Sequence, residues 1–107
     1  MVARTVTIQH LPGCPGLALA CARVDEAIHR YGGPAPEIVV QEVPDPAAAE
    51  HLGFHGSPTI LVDGIDPFDG APAEPAFACR IYHTRAGPQG TPSLEQILEA
   101  LGAGTAS

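Results

Sequence analysis

The stretch "RTVTIQHLPGCPGLALACARVDEAIHRYGGP" (residues 4–34) decides the fold. Its first seven residues, with Val6 and Ile8 alternating with Thr and Gln, read as a short strand. "LPGCPG" ends that strand, because two prolines and two glycines forbid its continuation. From Pro15 to Tyr31 the apolar residues Leu17, Ala20, Cys21, Val24, Ile28 and Tyr31 recur every three or four positions. Arg23, Asp25, Glu26 and Arg30 fall between them, which predicts an amphipathic helix stopped by Gly32-Gly33-Pro34. Strand, tight turn and helix in this order begin an α/β domain, with Cys14 in the turn.

A thiol at the mouth of a helix faces unpaired N–H groups and the positive end of the peptide dipoles, and both favour thiolate over thiol. Gly13 permits the sharp turn, and Pro15 pre-sets helical φ while removing one donor. Cys14 is therefore the candidate nucleophile, against the alternative of a small buried hydrophobe. Cys21 is seven residues further along the helix, about 10.5 Å of rise, whereas Cα atoms in a disulfide lie roughly 4.4–6.8 Å apart. It belongs to the apolar stripe with Leu17, Val24 and Ile28.

Beyond the first helix, "EIVVQEV" (37–43) reads as a second, largely buried strand. "DPAAAEHLG" (45–53) reads as a short helix with Asp45 as cap, Pro46 in the first turn and Gly53 as terminator. "SPTILVDG" (57–64) is a third strand, "IDPFDGAPAEP" (65–75) a loop, and "AFACRIYHT" (76–84) a fourth strand. After "RAGPQGTP", Ser93 caps a last helix, "LEQILEALG" (94–102). The order β-α-β-α-β-β-α permits a four-stranded mixed sheet flanked by helices on both faces, as one domain over residues 1–102 with a short tail at 103–107. In a simple hairpin of the last two strands, Cys79 falls at the end far from Cys14, and Tyr82 falls nearer to it.

The 107 residues carry 12 carboxylates, five arginines and no lysine, for a formal charge of −7. No basic stripe is available to neutralise a phosphate backbone, which excludes nucleic acid as the expected partner. No apolar run approaches the ~20 residues of a membrane span, and the N-terminus lacks a charged-then-apolar leader, so a cytoplasmic setting with no membrane partner is expected. An odd number of cysteines, three, fits reduced thiols rather than a disulfide scaffold.

Other residues are weighed more briefly. His10, at the end of the first strand, and His55, two residues before Ser57, are positioned to flank the Cys14 sulfur. His51 and His55 have helical ligand spacing, but Gly53 interrupts them, and no metal or cofactor is expected. Asp63, Asp66 and Asp69 fit turn chemistry better than a calcium loop. Phe68 is positioned to pack back on the sheet edge.

The chain also carries a resemblance. "GCP" (13–15), "LGFHGSPTILVDGIDPF" (52–68), "CRIY" (79–82) and "GPQGTPS" (87–93) resemble a group of small bacterial single-cysteine thioredoxin-like proteins, some of which bear an alkylmercury-lyase label. The resemblance implies a thioredoxin-like fold in which Pro58 is cis and packs beside Cys14. It also implies a substrate groove formed by Ser57, Pro58, Thr59 and His55, with backbone hydrogen bonds offered to an extended peptide or to glutathione. Leu17 stands where a resolving cysteine would complete Cys-x-x-Cys. The implied chemistry is therefore monothiol exchange with a protein or small thiol or disulfide partner, with His10 and Cys79 as candidate helpers. The alternatives are a non-redox binding module and a soft-metal or organomercurial binder using Cys14 with Cys79. The latter ranks lower because no aspartate stands near Cys14 to protonate a leaving carbon.

Overall fold

The computed structural model describes residues 5–68 and 74–103. Asp69 and residues 104–107 of the expected tail lie outside the described residues. The elements run β1 (Thr5–His10), α1 (Leu17–Tyr31), β2 (Glu37–Glu42), α2 (Pro46–Leu52), β3 (Thr59–Val62), β4 (Tyr82–Thr84), β5 (Gly87–Gln89) and α3 (Leu94–Ala103). β1 lies centrally, parallel to β2 and antiparallel to β3, and β4 and β5 form a separate antiparallel hairpin.

The register sets which side chains share a face. Val6 and Ile8 are level with Val62 and Ile60 across β3, so these four point to the same side. There they pack against Ala20, Val24 and Ala27 of α1 and Ile97, Ala100 and Leu101 of α3, joined by Phe68 and Tyr82. Alternation sends Val43, just past β2, to the other face. Val43 packs there with Ala49 of α2, Phe54 and the partly buried Leu11. Burial of aliphatic groups of this size contributes about 1.5–3 kcal/mol each.

The helix ends follow from local chemistry. Asp45 accepts the Ala48 N–H at 2.8 Å, Pro46 occupies the first turn, and Gly53 closes α2 in the left-handed conformation (φ 65°). Ser93 and Gln96 cap α3 reciprocally: Gln96 N–H donates to Ser93 Oγ, and Ser93 N–H donates to Gln96 Oε1. α1 begins at Leu17 rather than Pro15, with Gly16 as an N-cap that offers no side chain. Cys14 therefore precedes the helix by a turn, which weakens the dipole argument, since that effect fades within the first turn.

Two strand expectations are corrected. β2 is an edge strand, not a buried one: Ile38 and Val40 are 43% and 51% exposed. A β-branched run looks alike at the centre and the rim of a sheet, and only strand order separates the two. The four-stranded sheet is also replaced by three strands plus a hairpin. The outer edge of β3 is already occupied: Val62 N–H donates to Ile65 O at 2.8 Å, and the Tyr82 hydroxyl bonds Pro58 O and the Ile60 main chain. A side-chain hydroxyl thus stands where a ladder partner would pair, and residues 76–81 form no strand there. "RAGPQG", expected as loop, supplies the second strand of the hairpin.

Candidate functional site

Cys14 sits in a turn that closes on itself, with its N–H donating to Leu11 O at 3.2 Å and its C=O accepting from Leu17 N–H at 3.3 Å. Pro12, Gly13 and Pro15 are exposed, the thiol-bearing residue is half-buried, and a Cβ added to Gly13 (φ 69°) meets nothing within 4 Å. His10 Nδ1 lies 2.9 Å from the same Leu11 carbonyl that holds Cys14, so this histidine belongs to the turn.

Against this turn stands a wall built from residues 54–59. The Ser57–Pro58 peptide bond is cis, the isomer the resemblance implies. One hydrogen bond and one close approach join wall and turn. Leu11 N–H donates to Ser57 Oγ at 2.9 Å, and a Cβ placed on Gly16 would lie 3.6 Å from Pro58 Cδ and 3.4 Å from Thr91 Cγ2. Arg23 of α1 secures the third side, donating to Thr91 Oγ1 at 2.6 Å and Pro92 O at 2.9 Å.

The wall's polar groups are already committed within the chain. Ser57 N–H donates to Ala78 O at 2.8 Å, and Arg80 N–H donates to Ser57 O at 3.0 Å, so Ser57 and Cys79 form a parallel bridge. Pro58 O accepts from Tyr82 at 2.5 Å, and Thr59 Oγ1 donates to Gly56 O. The expected main-chain hydrogen bonds from Ser57 and Pro58 to a peptide are therefore not on offer. Gly56 allows this closure: at φ 105°, an added Cβ would stand 3.0 Å from Arg80 Cβ and 3.3 Å from Ala78 O.

Cys79 is displaced from its expected place. It lies beside Ser57, at the Cys14 end of β3, because the chain reaches that point in parallel to Ser57 before turning into β4. It is exposed, whereas Cys21 packs half-buried on the main core, where burial pushes its thiol pKa up. Leu17 likewise packs on that core as the first residue of α1.

Behind the wall lies a buried ionic cluster that the sequence did not reveal. Asp66 and Arg80 side chains, 4% and 3% exposed, form an ion pair through Oδ2 and Nη1, with a second contact from Nη2 to Oδ1 at 3.4 Å. His55 Nδ1 lies 2.6 Å from Asp66 Oδ2, and Phe68 N–H donates to Oδ1 at 3.0 Å. Burial alone would raise the Asp66 pKa, but hydrogen bonds from Arg80, His55 and Phe68 outweigh it and hold the carboxyl below the usual carboxylate range. Arg80 also donates to Phe68 O at 3.3 Å and lies 4.4 Å over the Tyr82 ring, which meets Phe68 edge-on at 5.6 Å. Its Nε is buried without a hydrogen-bond partner. Tyr82 is held protonated, chiefly by burial.

His55 therefore faces Asp66 and serves the wall. The visible signal for the cluster was Arg80 alone among "AFACRIY", a buried-looking run where an arginine needs a partner. Asp66 explained itself locally as a turn residue, and so hid the longer-range bond. Among the described residues no group of three or more histidine, cysteine or acidic side chains is arranged to hold a metal, and no helix is long and apolar enough to cross a membrane. No protein-family model matches the chain, and no curated protein or solved structure matches it significantly.

Proposed function

We propose that this chain is a thioredoxin-like protein in which Cys14 alone attacks disulfides. The observation that carries the reading is the juxtaposition of a half-buried thiol in an open Pro/Gly turn with the cis Ser57–Pro58 unit, joined through Leu11 to Ser57 and Gly16 to Pro58. The β2-β1-β3 strand order, with α1 following the Cys14 turn, supports the fold part of the reading.

The Cys14 thiolate attacks one sulfur of R–S–S–R′; the S–S bond breaks, R′S⁻ leaves, and a Cys14–S–S–R mixed disulfide remains. An external thiol R″S⁻ then attacks Cys14 Sγ, releasing RS⁻ and leaving Cys14–S–S–R″, and a second R″S⁻ attacks the outer sulfur of that bond, which frees the Cys14 thiolate and leaves R″–S–S–R″ as the oxidised product. Because Ser57 and Pro58 lend no free main-chain groups to a neighbouring strand, the reading favours a small disulfide, such as glutathione disulfide, over an extended peptide.

Alkylation with iodoacetamide across pH, followed residue by residue by mass spectrometry, tests this. The expected result is Cys14 modified fastest of the three cysteines, with no modification at that site in Cys14→Ser. A Cys14 that is alkylated no faster than Cys21 and Cys79 and fails to form a mixed disulfide leaves the binding-module reading in its place.

A further inference from the structure

We propose that Cys79 is the thiol that discharges Cys14 within the same chain, an inference that rests on Cys14 acting as the nucleophile. The case is geometric. Ser57 is shared between the two cysteine segments: its hydroxyl accepts Leu11 N–H, at the base of the Cys14 turn, and its main chain bonds Ala78 and Arg80 on either side of Cys79. Residues level with each other in a parallel pairing project their side chains to the same face. The Ser57 side chain points at the Leu11–Cys14 turn, so the Cys79 side chain, level with it, leaves the wall on that same side.

The separations are short at each step. Ser57 and Cys79 are one strand spacing apart, about 4.8 Å. Leu11 and Cys14 are the ends of a hydrogen-bonded four-residue turn, and such ends lie within about 7 Å. Cys79 is thus level with Ser57, Cys14 follows three residues after the Leu11 that Ser57 holds, and both are accessible, Cys79 exposed and Cys14 in part. The wall is fastened by Ser57, Gly56 and Arg80, so the movement that brings the sulfurs together belongs to the turn, where Gly13 has open space around it. Cys21 lies one turn inside α1, beyond the turn that holds Cys14, and packs on the core, which leaves it unable to serve.

In the reaction, the Cys79 thiolate attacks Cys14 Sγ of the Cys14–S–S–R mixed disulfide, RS⁻ leaves, and a Cys14–Cys79 disulfide forms. The two cysteines are oxidised by two electrons, the original disulfide is reduced to two thiols, and an external thiol later reduces the internal bond. Cys79 thereby takes the part that Leu17 cannot.

The folded, reduced chain treated with glutathione disulfide, quenched with acid at intervals and mapped by mass spectrometry tests the step. Wild type is expected to pass through a minor Cys14–glutathione adduct to a Cys14–Cys79 disulfide as the end product. Cys79→Ser, and Cys79→Ala as a second variant with its fold checked by circular dichroism, are expected to stop at the Cys14 adduct, and Cys21→Ser to behave as wild type. A wild-type protein that also stops at the Cys14 adduct overturns the assignment of Cys79 while leaving Cys14 as nucleophile. Failure of any adduct to form on Cys14 overturns both.

Discussion

The wall around Pro58 and the turn around Cys14 touch, yet they are held by different means. Behind Pro58, charge and hydrogen bonding are packed into the interior: Asp66 takes bonds from Arg80, His55 and Phe68, while Tyr82 takes the outer edge of β3 at Pro58. The Cys14 turn has two main-chain hydrogen bonds of 3.2 and 3.3 Å, exposed prolines and one glycine in open space. The wall is thus fastened by buried side chains, and the turn by its own main chain and by Leu11. The comparison implies that changes in the wall register first as stability, and changes in the turn as reactivity.

The most disruptive way to break the contrast is to remove one half of the buried ion pair. Arg80→Met or Asp66→Asn is expected to destabilise the protein by about 3–5 kcal/mol in urea unfolding, because the remaining partner stays in the interior uncompensated. The double change Asp66→Leu/Arg80→Met is expected to cost less than the sum of the two single changes. The pH dependence sharpens the point. The Asp66 pKa is lower folded than unfolded, so its contribution is present in full above the unfolded value of about 3.9. It falls away as pH drops from there through the folded value. Wild type is expected to lose stability over that window, and Asp66→Asn to show a flatter acid limb. An unchanged acid limb in Asp66→Asn would show that the carboxyl is not held in its charged form by the cluster.

Tyr82→Phe probes the joint between cluster and wall with a smaller effect. It keeps the ring against Phe68 and under Arg80 but leaves Pro58 O and the Ile60 main chain without the hydroxyl. A loss of about 1–3 kcal/mol is expected, the ordinary consequence of orphaning buried main-chain polar groups. Hydrogen exchange at Ile60 should rise with it. Equal exchange in both proteins would mean that the hydroxyl is not the ladder substitute described.

What the sequence showed and hid follows the range of each interaction. The strand–turn–helix opening, the Asp45 and Gly53 ends of α2, and the Ser93 cap of α3 depend on neighbours within a few residues, and all were legible. Ile38 and Val40 looked like core because a strand's place in the sheet is decided by its partners, not by its own residues. The 76–84 segment read as one strand because its apolar run is continuous. Its pairing is decided by Arg80 reaching Asp66 and Tyr82 reaching Pro58, contacts 14 and 24 residues away in sequence. The same displacement moved Cys79 from the far end of the sheet to the side of Ser57. Of the candidate site, Cys14, Ser57 and Pro58 were visible as a group, whereas the ionic support behind them was not.

Asp45→Ala gives the smallest effect and the cleanest control on the contrast between wall and turn. The Asp45 carboxylate caps the start of α2 through Ala48 N–H, and α2 packs with Val43 and Phe54 in the smaller core, where it meets the Cys14 turn through the partly buried Leu11 and not through Cys14 itself. Removing the cap is expected to lower stability by about 1 kcal/mol. Because neither the turn hydrogen bonds nor the Ser57 bridge involves this helix end, the alkylation rate of Cys14 should remain at the wild-type value under native conditions. If a loss of that size at α2 did raise Cys14 reactivity, the turn would be responding to general loosening of the domain. The reactivity would then be a property of the whole fold rather than of Gly13 and the flanking prolines.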